Sequence, residues 1–341
     1  MSDGLNRTGG PFNEINPMSL PPSSEVAPLT TVLSKPSGRL GFGSGLLLSA
    51  GDRKTAVRLL ETAFDNGIVY FDTARLYAEG LAEGLLGEAF SHRRDQVILV
   101  SKAGILPTSR ALSRRLVNKA LHVSRKVPPL RAILPEPKVA EPEFGVFDVP
   151  CLRMSVETSL RELRTDHLDA LLLHECTPED AADPEIRAFA EDLVREGKIR
   201  AYGVAPRTAD ALAIAQRGIA FGTILQVASS PWDDNVSRLA PGGDRLVVTH
   251  SVLGPRFRET VEALRHNQEA GDRWRAAFEI DPTDGADVAR LFLRYALQQN
   301  LAGVVLFSTT RPARIRQNLR ALERPLPPIQ ADLLPEMLRA L

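Results

Sequence analysis

The chain has 341 residues, 43% of them hydrophobic, which is enough for one large core or for two ordinary domains. Lysine plus arginine and aspartate plus glutamate both number 42, and this balance disfavours nucleic acid or an anionic membrane surface as a partner. The two cysteines, Cys151 and Cys176, lack metal-ligand spacing and indicate neither a disulfide framework nor a structural zinc site, so we expect a cytoplasmic protein.

The first segment, residues 1–36, is predicted to be a flexible N-terminal arm. It contains six prolines among glycine, serine and asparagine, and it lacks the basic start and the continuous apolar stretch of a signal peptide. The folded domain is therefore placed at residues 37–341. No run approaches the roughly 18 uninterrupted apolar residues that a membrane span requires.

From about residue 40 onward, short apolar runs alternate with helical patterns, which is typical of parallel strands joined by crossover helices. Eight such strands can close into a barrel or open into a doubly wound sheet. The strand count, and a composition without a break that would mark a second domain, favour a single (β/α)8 TIM barrel of the α/β class. The predicted strands are at 40–43, 69–72, 97–101, 168–174, 199–204, 224–228, 246–249 and 303–307.

Between the strands, apolar residues recur with the period of one-sided helices, as at 186–194 and 288–296. Two longer insertions interrupt this rhythm, at about 103–152 and 254–283. Connections of such length usually cap a site or are disordered, so we interpret both as lids. Residues 110–138 are rich in arginine and lysine and predict a solvated helix over the barrel mouth, with a membrane- or phosphate-binding role as the alternative.

Several apolar strands end in a polar or ionisable residue, namely Asp72, Lys102, His174 and Gln226. In a (β/α)8 barrel the carboxyl ends of the strands meet at one rim, so these side chains are expected to converge there. That rim is the predicted active site.

Tyr77 follows the second strand, and a tyrosine titrates at about 10, so it exchanges protons poorly at neutral pH unless its phenolate is stabilised. Lys102 can stabilise the phenolate, and Asp72 can keep the lysine charged against desolvation. His174 can donate a hydrogen bond that orients a substrate oxygen. Each residue alone has an ordinary structural explanation, such as a turn cap or a core histidine. Their combination predicts proton-transfer chemistry.

Five pieces of sequence, in this order and spacing, resemble the aldo-keto reductase superfamily over nearly all of residues 40–322. They are FDTARLY at 71–77 with Glu83 and Gly87 following, VSKAG at 100–104, LDALLLHE at 168–175, GKIRAYGV at 197–204 and RIRQNL at 314–319. The resemblance implies a (β/α)8 barrel, an NADP(H)-preferring nicotinamide cofactor held without a Rossmann domain, and no metal. It also implies four catalytic roles: Tyr77 as acid and base, Lys102 and Asp72 as the pair that tunes it, and His174 as the carbonyl orienter.

The glycine-rich stretch at 41–45 lacks GxGxxG spacing, and no long helix opens directly on it, so a Rossmann site is not indicated. By resemblance, this stretch forms the end of the first strand near the nicotinamide. Arg314 matches the arginine that binds the 2′-phosphate in the family, at a helix start whose free N–H groups favour an anion. Ordinary helix capping with a solvated arginine is the alternative. The predicted cofactor-binding residues are Gly43, Ser44, Gly45, Asp72, Gln226, His250, Ser251, Leu253, Phe307, Ser308, Thr309, Thr310, Arg314, Gln317 and Asn318.

Three positions depart from the family pattern. Ser308 stands where many NADPH-specific relatives have a lysine, which leaves NAD(H) usable. Ala205 and Pro206 occupy the place of a Ser-Asn pair that bonds the nicotinamide carboxamide. His250 replaces the aromatic residue that stacks on the nicotinamide ring, and an imidazole stacks less broadly. These departures predict looser cofactor binding than in typical members.

The sequence therefore predicts an NAD(P)-dependent oxidoreductase that reduces an aldehyde or ketone, or oxidises an alcohol or sugar lactol. The segment at 80–90 is similar to that of the subgroup that oxidises aldoses at carbon 1, which favours a sugar-type substrate. The alternative is a non-catalytic nucleotide-binding regulatory or interaction protein on the same barrel. A metal-dependent hydrolase would need clustered histidines and carboxylates that the rim residues do not supply. A monomer or a small homo-oligomer is expected.

Overall fold

The computed structural model describes residues 38–107, 141–239 and 245–341. The predicted arm at 1–36 and the basic segment at 110–138 lie outside the described residues. Eight strands form the barrel: β1 (Leu40–Gly43), β2 (Tyr70–Asp72), β3 (Ile98–Ala103), β6 (Leu168–His174), β7 (Ile199–Ala205), β8 (Ile224–Ala228), β9 (Leu246–His250) and β10 (Val304–Phe307). Two further short strands, β4 (Ile105–Leu106) and β5 (Glu143–Phe144), form a separate antiparallel pair.

The barrel is closed and parallel throughout, in the order β1, β10, β9, β8, β7, β6, β3, β2. This confirms the predicted (β/α)8 barrel, and every predicted strand end lies within two residues of the observed one. The register aligns the carboxyl ends of neighbouring strands: Asp72 pairs with Gly43 on one side and Val100 on the other, and His174 pairs with Ala205. One rim therefore collects the polar strand ends.

Helices cover the outside of the barrel because one face of each is apolar. In the helix Pro184–Arg195, the side chain of Asp183 caps the first turn, and Ile186 and Phe189 are among the residues buried against the strands. Val194, predicted as part of this apolar face, is 39% exposed. The helices are Arg53–Asp65, Tyr77–Gly80, Ala82–Phe90, Val149–Leu163, Pro178–Ala182, Pro184–Arg195, Thr208–Gln216, Phe257–His266, Gln268–Phe278, Gly285–Gln299, Pro312–Glu323 and Pro328–Arg339, with 3-10 helices at Ser44–Ala50 and Ser91–Gln96.

Two apolar clusters make up the core. One lies inside the barrel, where Tyr70, Val100 and Leu172 are completely buried, so the interior is packed and is not a pore. The larger cluster lies between the barrel and its helices. Because the interior is filled, a ligand binds at the rim of the barrel and not inside it. The polar strand ends lie at the carboxyl rim.

The insertion at 254–283 forms two helices, Phe257–His266 and Gln268–Phe278, which join the larger cluster through the buried side chain of Trp274. It is thus a folded part of the domain. Among the helices of residues 38–107, 141–239 and 245–341, none has the length and apolar character needed to cross a membrane.

Candidate active site at the carboxyl rim

A buried ion pair lies at the centre of the rim. The Nζ atom of Lys102 is 2.6 Å from Oδ1 of Asp72 and donates a second hydrogen bond to the carbonyl oxygen of Thr73 at 2.9 Å. The other carboxylate oxygen of Asp72 accepts a hydrogen bond from Nε2 of Gln226 at 3.2 Å. Burial by itself lowers the pKa of Lys102, but Asp72 and Tyr77 together raise it above its ordinary value. Lys102 is therefore held as a cation.

Tyr77 lies directly beside this cation. Nζ of Lys102 is 4.6 Å from the centre of the phenol ring, so the strand ends β2 and β3 bring the two groups together as the motif spacing predicts. Burial raises the pKa of Tyr77, and the charge of Lys102 opposes that rise without cancelling it. The phenol is consequently protonated at neutral pH and stands next to a charge that stabilises its deprotonated form.

His174, at the end of β6, faces the same phenol. The ring centroids of His174 and Tyr77 are 5.8 Å apart and the rings are nearly perpendicular. Burial lowers the pKa of His174 to about 3, and the charge of Lys102 acts in the same direction. A neutral imidazole keeps one N–H donor, which is what the orientation of a carbonyl oxygen requires.

A cleft of about 1220 Å³ opens beside these residues and runs toward the end of β10. Tyr77 and Asp72 form part of its wall. A cleft of this volume, lined by both polar and apolar groups, can receive a dinucleotide. From the predicted cofactor set, the lining includes Gly43, Gly45, Asp72, Gln226, His250, Ser251, Leu253, Phe307, Ser308, Thr309, Arg314, Gln317 and Asn318.

Two predicted residues stand apart from that lining. Ser44 is completely buried, because the first strand ends at Gly43 and residues Ser44–Ala50 turn into a 3-10 helix instead of extending the strand. Thr310 precedes the helix Pro312–Glu323 without lining the cleft. Of the stretch 41–45, which was expected to form the end of the first strand, Ser44 and Gly45 lie instead in the 3-10 helix Ser44–Ala50.

Two residues of the predicted cofactor set carry a buried side-chain atom that lacks a hydrogen-bond partner among the described residues. Oε1 of Gln226 and Oγ of Ser44 are buried without a hydrogen-bond partner there. Such atoms are uncommon in folded proteins and are satisfied when a ligand or water supplies a donor. Gln226 is also one of the residues that line the cleft, and an amide oxygen is an acceptor that suits a carboxamide N–H₂ group.

The far end of the cleft lies at β10 and the helix Pro312–Glu323, which begins with a proline as the sequence predicts. Oγ of Ser308 donates to the carbonyl oxygen of Gly43 at 2.8 Å, and Oγ1 of Thr309 accepts from the backbone N–H of Arg311 at 3.1 Å. Arg314 lies in the first turn with its side chain exposed. The helix start thus offers backbone donors and an exposed cation to an anionic group.

The three departures from the family pattern all lie at this rim. Ala205 is the last residue of β7, and its carbonyl oxygen accepts from the N–H of Glu175. Alanine and proline side chains carry no polar group, so Ala205 and Pro206 supply no side-chain donor. His250 lines the cleft, and its Nδ1 is 2.9 Å from Oγ of Ser251. Burial lowers the pKa of His250, which favours the neutral ring that stacks best.

Sequence reasoning missed several residues of the cleft wall. Arg265 comes from the insertion at 254–283, which was interpreted only as a lid, so the length of the insertion was the one available signal. Asp284 follows that insertion and caps the helix Gly285–Gln299. Their neighbours in the wall are apolar and carry no motif. The missed residues include Leu46, Phe257, Arg265 and Asp284. Within the part of the chain that the structure describes, no three His, Cys, Asp or Glu side chains are grouped to hold a metal ion.

The fold and the rim define a (β/α)8-barrel protein with its polar centre where barrel enzymes carry their active sites. A model of the Aldo/keto reductase family matches residues 39–339, so this chain belongs to the aldo/keto reductase family. The D-threo-aldose 1-dehydrogenase of a Pseudomonas species is 27% identical over 327 residues, which cover 89% of this chain and 94% of that protein.

Other relatives match over shorter stretches. An uncharacterized oxidoreductase of Bacillus subtilis is 32% identical over 48% of this chain and 43% of its own length. A methylglyoxal reductase of Escherichia coli is 32% identical over 46% of this chain and 40% of its own length. The matched part thus spans less than half the length of these two relatives.

Solved structures agree on the fold. The holo form of an aldo-keto reductase from Bacillus halodurans has a TM-score of 0.65 at 20% identity, covering 89% of this chain and 93% of that one. An aldo-keto reductase from Klebsiella pneumoniae in complex with NADPH has a TM-score of 0.60 at 23% identity, covering 89% and 91%. At this level of identity the likeness concerns the architecture.

Proposed function

We propose that this protein is an NAD(P)(H)-dependent oxidoreductase in which Tyr77 exchanges a proton with the oxygen of a carbonyl or alcohol substrate. The observation that carries the proposal is the position of Lys102, which contacts Asp72 at 2.6 Å and lies 4.6 Å from the Tyr77 ring centre. A buried ammonium at that distance makes the phenolate more accessible than burial alone would leave it. The membership in the aldo/keto reductase family supports the same chemistry.

The cleft residues suit a nicotinamide dinucleotide, with NADP(H) preferred. Gln226 would hold the carboxamide through its unpartnered Oε1, His250 would pack on the ring, and Arg314 would bind a 2′-phosphate. When bound, the cofactor supplies or accepts a hydride at the substrate carbon. Because Ser308 donates its hydroxyl to Gly43 and adds no positive charge, NAD(H) remains a usable cofactor.

The rim residues transfer the proton, stabilise the phenolate and orient the substrate. In reduction, Tyr77 donates its proton to the substrate oxygen, and Lys102 stabilises the phenolate that is left. His174, being neutral, donates a hydrogen bond that fixes the carbonyl beside Tyr77. In oxidation, the phenolate accepts the hydroxyl proton. Asp72 keeps Lys102 charged in both directions.

We propose a small polar carbonyl compound or a sugar lactol as the substrate class. The support is the similarity to a D-threo-aldose 1-dehydrogenase over 89% of this chain. The polar groups that surround Tyr77 also favour a substrate rich in hydroxyl groups over a wholly apolar one.

Purified protein should be titrated with NADPH and NADH, and then assayed with a panel of aldehydes, ketones and aldoses in both directions. The proposal expects turnover with at least one sugar or small carbonyl compound, together with tighter binding of NADPH. Cofactor binding without turnover on any substrate would instead favour the non-catalytic nucleotide-binding protein, an alternative that the absence of donors at Ala205 and Pro206 keeps open.

A further inference from the structure

Glu83 is a buried acid that the chemistry described so far does not use. It is 4% exposed and lies in the first turn of the helix Ala82–Phe90. Oγ of Ser101 donates a hydrogen bond of 2.6 Å to its Oε1 atom. Burial raises the pKa of Glu83, and hydrogen bonds from Ser101 and Ser159 act against that rise. An isolated carboxyl group in this position is costly, so its retention requires a reason.

The partner of Glu83 lies next to the catalytic cation in the chain. Ser101 and Lys102 are successive residues of β3, and successive side chains of a strand point to opposite faces. Lys102 faces the rim centre, where it contacts Asp72, while Ser101 faces the helix layer, where it contacts Glu83. The hydrogen bond therefore ties the helix Ala82–Phe90 to the strand that carries Lys102.

The first turn of the same helix, which contains Glu83, also follows the phenol closely in the chain. Between Tyr77 and the helix, Ala78, Glu79 and Gly80 have φ values of 49°, 57° and 82°. The left-handed conformation costs roughly 1–2 kcal/mol for each residue other than glycine. Such a turn persists when the surrounding structure determines it at both ends. The turn begins with the buried side chain of Ala78. It ends at the helix Ala82–Phe90, which Glu83 holds in place.

We propose that Glu83 is a positioning residue: through its hydrogen bond to Ser101 it fixes the strained turn at 78–80 and holds the Tyr77 phenol beside Lys102. This inference rests on the proposed function of Tyr77. It predicts that loss of the Glu83–Ser101 hydrogen bond slows proton transfer by more than the loss of stability explains. The required property is the hydrogen-bond acceptor at position 83, since glutamine offers the same oxygen to Ser101.

The test compares Glu83→Ala with Leu86→Ala, a matched control that opens a cavity in the same helix at a fully buried position without touching the hydrogen bond. The titration of Tyr77 is followed by NMR of the four tyrosines, with Tyr77→Phe assigning its signal. In Glu83→Ala we expect Tyr77 to titrate at higher pH and kcat to fall about 10- to 100-fold, because the phenol moves away from Lys102. The dissociation constant of NADPH should not change, since the cofactor cleft is built mainly from β8 to β10.

Leu86→Ala should lose thermal stability while its Tyr77 titration and kcat stay at the wild-type values. Glu83→Gln should behave like wild type in both readouts. If Glu83→Ala fails to fold, Ser101→Ala removes the same hydrogen bond with a smaller loss of volume and should shift the Tyr77 titration in the same direction. An unchanged Tyr77 titration in the folded variant overturns the inference. Absence of turnover in the wild type would overturn the proposed function instead, and the NMR titration would still decide the role of Glu83.

Discussion

Replacing Lys102 by methionine removes the ammonium next to Tyr77 and keeps a side chain of similar length. The ammonium lies 4.6 Å from the phenol ring centre. If the ring centre is taken as the position of the phenolate charge, two unit charges at that separation attract by roughly 4 kcal/mol at an effective dielectric constant of about 20. If that attraction stabilises the phenolate formed during reduction, its loss slows proton transfer by roughly several hundredfold.

The same substitution leaves Asp72 buried without its partner. Removing one member of a buried ion pair typically costs about 3–5 kcal/mol of stability. Asp72 is 2% exposed and keeps the hydrogen bond from Gln226, so we expect a loss toward the lower end of this range. The double variant Lys102→Met/Asp72→Asn removes the orphaned charge. It should recover much of the stability while remaining as inactive as the single variant.

The assay is steady-state kcat for reduction as a function of pH, together with thermal unfolding of wild type and both variants. The activity that remains in Lys102→Met should have its alkaline limb at higher pH than wild type, because the cation that lowers the pKa of Tyr77 is gone. Near-wild-type activity with an unshifted profile in a folded Lys102→Met protein would refute the electrostatic role of Lys102.

Three further predictions follow from the site. Arg314→Ala should weaken NADPH binding by about 10- to 100-fold and NADH binding far less, as measured by fluorescence titration, and equal losses would contradict a contact with the 2′-phosphate. Because burial raises the pKa of Tyr77, reduction should be constant through neutral pH and decline in alkali, whereas oxidation should increase with pH; the opposite order in buffered assays would contradict the acid and base roles. Because burial lowers the pKa of His174 to about 3, its NMR signals should not titrate above about pH 5, and a titration near neutrality would show an exposed or differently paired ring.

The barrel was predictable because its strands are buried on both faces. Continuous apolar runs such as 168–174 have few alternatives to a central strand, and a polar residue at the end of the run marks the rim. The helix Pro312–Glu323 was predictable from its proline, since proline suits the first helical turn. These local signals, with the family motifs, were enough to predict that Asp72, Tyr77 and Lys102 lie close together at the rim.

Features that depend on tertiary contacts were not predictable. The residue types of Ala78 and Glu79 do not indicate a left-handed turn, since alanine and glutamate favour right-handed helices. The burial of Ser44 follows from the 3-10 helix that replaces the end of the strand. Arg265 reaches the cleft because the insertion at 254–283 folds back on the barrel. The hydrophobic periodicity of the insertion predicts helices but not where they pack.

Turnover of Tyr77→Phe provides the most direct test of the account, measured with the best substrate of the wild type and with cofactor binding determined in parallel. Removal of the hydroxyl leaves the ring, its packing and the Lys102–Asp72 contact in place. The account predicts wild-type affinity for NADPH and nearly complete loss of turnover in both directions. Retention of wild-type turnover by Tyr77→Phe would show that another group moves the proton.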